Sequence, residues 1–230
     1  MRTKVLICAA FLAASLASSM AQNVYSLNVV GYVNVTLPPQ QFTCLANPLD
    51  ASLGGTVANG NDITNLFQGA NGGDSVSIWI PSAIDYSTTI PSYSTRTKTW
   101  SANHALPPGQ ALLYFNKGAA AEVITFTGQV PQGTYNVGTL PGSAFSMLGS
   151  PVPIGGDPTN STTVLGLAPS GSDTIAEFNG AAVDWTSTII WSSRTKSWGG
   201  TAVTNIRPGQ GFLYFNHGSA NTWVSNFTVQ

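Results

Sequence analysis

A short apolar segment occurs twice in this chain of 230 residues, and it limits the folds that the chain can adopt. Residues 109–118 read GQALLYFNKG, and residues 209–218, 100 positions later, read GQGFLYFNHG. Each copy follows a proline and places an unbroken apolar run between glycines, which is typical of a short strand buried on both faces. The sequence therefore predicts two similar units, each organised around such a strand.

Further matches follow in the same order along the two halves. Residues 83–90 (AIDYSTTI) match residues 182–189 (AVDWTSTI), and residues 93–100 (YSTRTKTW) match residues 191–198 (WSSRTKSW). A repeat of this length is domain-sized, and short strands with Gly, Pro and Asn turns and no sustained helical period indicate an all-β fold. We predict two tandem, internally duplicated antiparallel domains, each a β-sandwich or barrel-like.

The N-terminus has the layout of a secretory signal peptide. Arg2 and Lys4 precede an apolar run, and small residues lead to a predicted cleavage after Ala21. The run is shorter than the roughly 20 apolar residues that span a bilayer. We therefore expect a mature chain without a transmembrane segment, secreted, at the cell surface or in the periplasm. The predicted divisions are residues 1–21 (signal peptide), 22–132 (repeat 1) and 133–230 (repeat 2).

The charge content is low and bears on the expected partners. Charged residues make up 7% of the chain, against ~25% in a typical soluble protein. Loss of the signal peptide leaves six basic and nine acidic side chains, a net charge of −3. Nucleic acid is not an expected partner, because phosphate binding needs a basic patch. So few charges also weaken the repulsion between surfaces, which favours self-association.

One cysteine, Cys44, remains after the predicted cleavage, so no disulfide can form within one mature chain. Its counterpart in repeat 2 is Met147. Methionine has no thiol, so the two matched positions share an apolar character and not a reactive group. The pair therefore predicts a buried apolar residue rather than a reactive thiol. An intermolecular disulfide is the alternative.

Segments with the same β pattern bound the two repeats: residues 24–30, 123–127 and 223–229. The middle segment is in a position to close repeat 1 and also to open repeat 2. Two arrangements of the terminal strands are open. Each folds into its own chain, or the first strand of one molecule adds to the last strand of another at an exposed sheet edge.

Residues 24–35 (VYSLNVVGYVNV) follow the signal peptide and precede Asn47-Pro48-Leu49. This opening resembles that of a family of secreted bacterial β-rich tandem-repeat proteins of unassigned function. The Gly-Gln strand and residues 128–133 (GQVPQG) are similar to that family too. The resemblance covers most of the mature chain, and its motifs are structural. It implies no catalytic residues.

The sequence shows no catalytic or metal-binding constellation. Residues 73–75 (GDS) resemble the nucleophile block of secreted lipases and esterases, but no Asp-x-x-His element follows, and residues 172–175 of repeat 2 suggest the same turn into a strand. His104 and His217 lack a second ligand at metal spacing. We expect no enzymatic activity, cofactor or metal; a secreted hydrolase whose residues converge only in space is the least favoured alternative.

The densest polar and aromatic set lies in the duplicated hairpin after Asp85 and Asp184. Alternation predicts Arg96, Lys98 and Trp100 on one face. Aromatic rings beside hydrogen-bonding side chains can bind sugars, whereas an Asp–Arg pair over an inward ring would only stabilise the hairpin. The candidate ligand-binding residues are Tyr86, Tyr93, Arg96, Lys98, Trp100, Trp185, Trp191, Arg194, Lys196 and Trp198.

These features favour an exported, non-enzymatic structural, adhesive or surface-assembly protein, with self-association through its terminal strands. The alternative is a carbohydrate-binding module that presents two similar aromatic sites to a polysaccharide.

Overall fold

The structure, a computed structural model, describes residues 29–157, 166–186, 188–199 and 206–229. The predicted signal peptide and most of the segment 24–30 lie outside the described residues. Regular structure among the described residues is almost entirely β, which confirms the predicted all-β class. In chain order the elements are β1 (Val30–Leu37), β2 (Gln41–Ala46), α1 (Ile63–Leu66), β3 (Ser75–Ser77), β4 (Trp79–Ile80), β5 (Asp85–Tyr86), β6 (Tyr93–Ser94), β7 (Thr99–Trp100), β8 (Ala111–Asn116), β9 (Glu122–Gln129), β10 (Gly133–Leu140), β11 (Ala144–Gly149), β12 (Thr174–Asn179), β13 (Asp184–Trp185), β14 (Ile189–Ser192), β15 (Ser197–Gly199), β16 (Gly211–Asn216) and β17 (Asn221–Phe227).

The first and last described strands of each repeat pair with each other as a two-stranded ribbon. β1 pairs with β9 along its whole length, and β10 pairs with β17 around a bulge between Asn136 and Gly138. Because β9 ends at Gln129 and β10 begins at Gly133, the middle segment closes repeat 1 while a separate strand opens repeat 2. The expectation that one strand could do both is wrong. In β1, Val33 and Leu37 are buried, as the alternation predicts.

The two copies of the Gly-Gln segment form the central strands of the two larger sheets. β8 lies between β2 and β3, and β16 lies between β11 and β12. Leu113 and Tyr114 point to opposite faces of β8 and both are buried. The prediction of a strand buried on both faces is therefore confirmed. Thr43 faces Tyr114 across β2 and β8, and Ser146 faces Tyr214 across β11 and β16.

The shorter pairs also recur in both repeats. β4 pairs with β5 and β6 with β7 in repeat 1, while β12 pairs with β13 and β14 with β15 in repeat 2. Every strand pairing among the described residues is antiparallel. Segments that match in sequence therefore hold matching places in the sheets.

Buried apolar side chains form one continuous core that runs through both repeats, with Leu45 and Phe126 in repeat 1 and Phe212 and Trp223 in repeat 2 among its members. The short helix α1 adds Ile63 and Leu66 to this core.

The residue before α1 does not cap the helix as the sequence suggests. Asp62 stands at the N-cap with an extended backbone, but its side chain makes no capping bond. It accepts a hydrogen bond from Asn103 Nδ2 at 2.5 Å instead. Residues 62–67 of the sequence predict a helical turn capped by Asp62; the turn forms as α1, but the predicted cap is wrong, because Asn103, distant in sequence, binds the carboxylate.

Candidate binding site between the two repeats

The two larger sheets pack against each other through one face of β8 and one face of β16, and this contact is called the seam. Alternation in β8 turns Leu113 toward the seam and Leu112 toward the continuous core. The seam's buried members are Cys44, Leu113 and Met147. Partly buried residues that pack against them are Phe42, Trp79, Tyr86, Ala111, Phe178, Trp185 and Leu213.

Backbones approach closely at the seam because glycines stand where a side chain would not fit. A Cβ added to Gly149 would lie 2.1 Å from the Cβ of Ala46, and one added to Gly211 would lie 2.8 Å from that of Ala111. Both distances are far below the ~3.5–4.0 Å of an ordinary carbon contact. The small residues thus fix how the two sheets meet.

Backbone hydrogen bonds join the repeats beside these glycines. The N–H of Ala46 donates to the carbonyl oxygen of Gly209, and the N–H of Gly149 donates to that of Gly109, each at 3.0 Å. Gly109 and Gly209 have φ of +86° and +78°, a region that favours glycine. A Cβ at Gly109 would meet Val137, and one at Gly209 would meet Val35. Each Gly-Gln turn therefore packs on the other repeat.

The seam brings together two of the candidate ligand-binding residues, Tyr86 and Trp185. Trp79 and Tyr86 face each other edge-on with centroids 5.2 Å apart, and so do Phe178 and Trp185 at the same distance. Burial raises the pKa of Tyr86 to about 12, while the neighbouring Trp185 indole acts in the opposite direction. Both rings are only half-buried, so each keeps an accessible part.

Two cavities open along the same side of the seam. The aromatic cavity, of about 260 Å³, is lined by Phe42, Ser77, Tyr86, Leu113, Phe178, Val183, Asp184 and Trp185. The larger seam cleft, of about 430 Å³, is lined by Asn34, Val35, Thr36, Pro38, Gln41, Phe42, Thr43, Cys44, Phe178, Gly180, Arg207, Pro208, Gln210 and Gly211. Because Phe42 and Phe178 line both, the two cavities border on each other.

The other aromatic candidates pack within the hairpins. Tyr93 and Trp100 pair across β6 and β7 with centroids 5.6 Å apart, and Trp191 and Trp198 pair across β14 and β15 at 5.3 Å. Trp100 is only 8% exposed and contacts Phe67. It is a core residue and offers little surface to a ligand.

The basic candidates lie on turns rather than on a strand face. Residues 95–98 form the turn between β6 and β7, and Lys98 has φ of +56°. The expectation that Arg96, Lys98 and Trp100 share one face is wrong, because strand alternation ends before the turn. Arg96 and Lys98 are exposed, and so are their counterparts Arg194 and Lys196.

The aspartates of the two hairpins do not face these arginines across a strand pair. Asp85 lies on β5, which pairs with β4, and it accepts the backbone N–H of Tyr86 at 2.7 Å. Asp184 accepts the N–H of Trp185 at 2.7 Å in the same way. The alternative of a cross-strand Asp–Arg pair is therefore wrong. Its other part, a ring that packs inward, is confirmed for Trp100.

The Gly-Asp-Ser segment contains a buried carboxylate that anchors the central strand. Asp74 accepts hydrogen bonds from the hydroxyl of Tyr114 at 2.8 Å and from the N–H groups of Lys117 and Asn71 at 2.9 and 2.6 Å. Through these hydrogen bonds Asp74 holds the end of β8 to the turn before β3, which is a structural role.

Repeat 2 builds the same anchor. Asp173 accepts hydrogen bonds from the Tyr214 hydroxyl at 2.5 Å, the His217 N–H at 2.7 Å and the Ser170 N–H at 2.7 Å. Because the motif's serine is absent from this copy, the carboxylate is what the two segments share.

A second carboxyl lies beside the anchor of repeat 1. Both oxygens of Glu122 are shielded from solvent and lack a well-formed hydrogen bond within the described part of the chain. Burial, reinforced by the Asp74 carboxylate, raises the pKa of Glu122 to about 7. Asn221 faces Leu140 in repeat 2 as Glu122 faces Leu37 in repeat 1.

Cys44 lies in the seam beside Met147, as the sequence pairing predicts. The thiol is 4% exposed, and burial raises its pKa well above the ordinary value. A buried apolar role is therefore confirmed for this residue.

Comparison with known proteins gives no information on this site. No protein-family model, curated protein sequence or solved structure matches this chain. Among the described residues, no helix combines the length and the hydropathy that crossing a membrane as a helix requires. Within the same ranges, no three His, Cys, Asp or Glu side chains are grouped closely enough to hold a metal ion.

Sequence reasoning missed several residues of the candidate site. Phe42, Phe178 and Arg207 stand far apart in the chain and outside the duplicated hairpin, and only the seam brings them together. The Gly-Gln motif carried a signal for Gln210, because a matched glutamine follows a glycine in each repeat. The motif by itself predicts a strand and gives no sign of the second repeat that it contacts.

Proposed function

We propose that this chain is an exported, non-enzymatic structural or adhesive protein that assembles with further copies of itself at the cell surface. The observation that carries this proposal is the β1–β9 ribbon. No described strand pairs with the outer edge of β1, whose backbone donors and acceptors can therefore join another strand.

The outward face of the same ribbon supports self-association. Val30, Tyr32 and Val123 are 69%, 73% and 55% exposed on it. The cross-strand partners of Val30 and Tyr32 are the uncharged residues Gln129 and Thr127. An uncharged strand face with exposed apolar side chains is the kind of surface that natural edge strands usually protect with lysine or proline.

The occupant that this surface fits is a second copy of the chain. A self-complementary contact between two β1 edges needs no charge complementarity, and the exposed face offers none. The low net charge of the mature chain adds little repulsion between copies. Export is supported by the predicted signal peptide, and cell fractionation with an antibody tests it.

Light scattering on the mature chain, with electron microscopy, tests the assembly. We expect oligomers or fibres that disappear in Tyr32→Lys, because a charge on the ribbon face opposes stacking and pairing. Thr134→Lys, which changes another exposed residue at the start of β10, is the control and should assemble like the parent. A monomeric parent protein at high concentration would overturn the proposal, as would equal loss of assembly in both variants.

A second candidate function, carbohydrate binding, is favoured by a different observation. Tyr86 and Trp185 are half-buried beside a cavity of about 260 Å³. Rings held in this way present apolar faces to a sugar. Retention of the mature protein on insoluble polysaccharides tests this candidate, and a chain that passes through all of them unretarded would count against it.

A further inference from the structure

We propose that the seam cleft and the aromatic cavity together bind one chain of a neutral polysaccharide. This inference deepens the second candidate function and does not depend on assembly through β1. It assigns the site to the seam rather than to the hairpins, and it names the class of ligand.

The first step concerns the shape of the site. The cleft and the cavity share Phe42 and Phe178, so a ligand can lie in both at once. Together they extend from Arg207 of repeat 2, past the shared rings, to Trp185. An elongated ligand that contacts both repeats fits this site better than a small compact one.

The second step concerns the neutral polar groups. The cleft is lined by uncharged hydrogen-bonding side chains, namely Asn34, Thr36, Gln41, Thr43 and Gln210. Amide and hydroxyl groups both donate and accept, which matches the hydroxyl groups of a sugar. Tyr86 and Trp185 in the adjoining cavity supply rings on which the apolar face of a sugar can pack.

The third step concerns charge and selects a neutral ligand. The cleft contains one cation, Arg207, whose Nε donates to Gln210 Oε1 at 3.3 Å, and the cavity contains one anion, Asp184. An acidic glycan lying along both would be attracted by Arg207 but repelled by Asp184, and a cationic glycan would meet the reverse, so a glycan charged along its length gains no net attraction. Hydroxyl groups of a neutral glycan can donate to the carboxylate and accept from the guanidinium.

The fourth step predicts one site per chain. The opposite cleft, of about 260 Å³, is the counterpart on the other side of the seam. Its lining combines apolar residues, among them Ile78, Ile80 and Pro81, with the polar residues His104, Gln110, Thr139 and Ser146. Trp79 also lines it, and its Nε1 donates to the carbonyl oxygen of Phe145 at 2.9 Å. Phe178, at the matching position, has no N–H to make that bond. Among the described residues, the Phe178 side therefore has the larger of the two clefts, and it is the side that adjoins the aromatic cavity.

Isothermal titration of the mature full chain tests the proposal. The probes are soluble glucan, mannan and xylan as neutral polysaccharides, polygalacturonate as an acidic one and chitosan as a cationic one. We expect saturable binding of at least one neutral polysaccharide, one site per chain, and none of the charged probes. Preference for a charged probe would overturn the ligand class while leaving carbohydrate binding in place; no binding at all would overturn both.

Variants locate the site. Trp185→Ala should weaken binding about tenfold, the effect of losing one ring contact. Gln210→Ala, on the surface of the cleft, should also weaken it and keeps the test decisive if the tryptophan variant does not fold. Gln110→Ala changes the matching glutamine of the opposite cleft and should bind like the parent. Weakening by Gln110→Ala with none by Gln210→Ala would overturn the assignment.

Discussion

The close approach at Gly149 makes a strong prediction about the fit between the two repeats. In Gly149→Ala the new methyl group would lie 2.1 Å from the Ala46 methyl and 2.8 Å from the carbonyl oxygen of Gln210. Backbone atoms cannot move aside as a flexible side chain can. Overpacking of this kind costs about 1–3 kcal/mol, and we expect about 3 kcal/mol here because two elements must shift.

A double-mutant cycle separates the two contacts. Ala46→Gly removes the methyl group that Gly149→Ala would strike, so the double variant keeps only the overlap with the Gln210 carbonyl. We expect it to recover at least ~1 kcal/mol of the loss, a coupling typical of residues in contact. Urea unfolding of the mature chain, followed by tryptophan fluorescence, measures all four proteins.

The control is an exposed glycine with free space around it. A Cβ at Gly69 would meet no atom within 4 Å. Gly69→Ala should therefore change the free energy of unfolding by less than about 0.5 kcal/mol. The reasoning is refuted if Gly149→Ala is as stable as Gly69→Ala, or if Ala46→Gly fails to restore any of the lost stability.

Three further predictions concern buried ionisable groups. Asp74→Ala should destabilise the chain by about 3–5 kcal/mol in urea unfolding, because several buried donors lose their acceptor, while Tyr114→Phe should cost only about 1 kcal/mol. Glu122 has a raised pKa of about 7 against 4.5 when unfolded, so the folded state binds more protons and stability should fall as pH rises from 4.5 to 7. Glu122→Asn, which installs the residue found at Asn221, should remove that part of the pH dependence in unfolding curves. The Cys44 thiol should resist alkylation in the folded protein and react on unfolding, since burial raises its pKa; mass spectrometry over a urea series would reveal early labelling.

The elements of this fold could be predicted from the sequence because their signals are local. The alternation in β1 and the apolar run of β8 depend on neighbouring residues, and a strand buried on both faces needs no further information. The position of the turn at residues 95–98 could not be predicted, because these four residues have a strand-like composition. They close a hairpin only because Lys98 adopts a positive φ.

The candidate site could not be predicted in the same way. Tyr86 and Trp185 were singled out because they are aromatic and duplicated, and that signal also marked Trp100, which packs in the core. Sequence matching shows that Tyr86 and Trp185 are equivalent residues of the two repeats. It does not show that they lie close together at the seam. That meeting depends on the small residues that let the sheets approach, and a glycine's role in close approach is visible only with its neighbour present.

The residues at the seam differ between the repeats, and this difference leads to a last prediction. Ala46 and Gly149 hold matching places, and two alanines there would overlap, so the two sides of the seam are not identical. Trp79 and Phe178 also hold matching places, and only the tryptophan of this pair has a side-chain N–H. In Phe178→Trp the added indole should reach toward the Phe42 carbonyl, as Trp79 reaches the Phe145 carbonyl at 2.9 Å, and narrow the seam cleft. We expect about tenfold weaker binding of neutral polysaccharide with unfolding in urea unchanged. Trp79→Phe, the matched change on the other side, should leave that binding intact; a Phe178→Trp variant that binds like the parent would show that the ligand does not occupy the cleft.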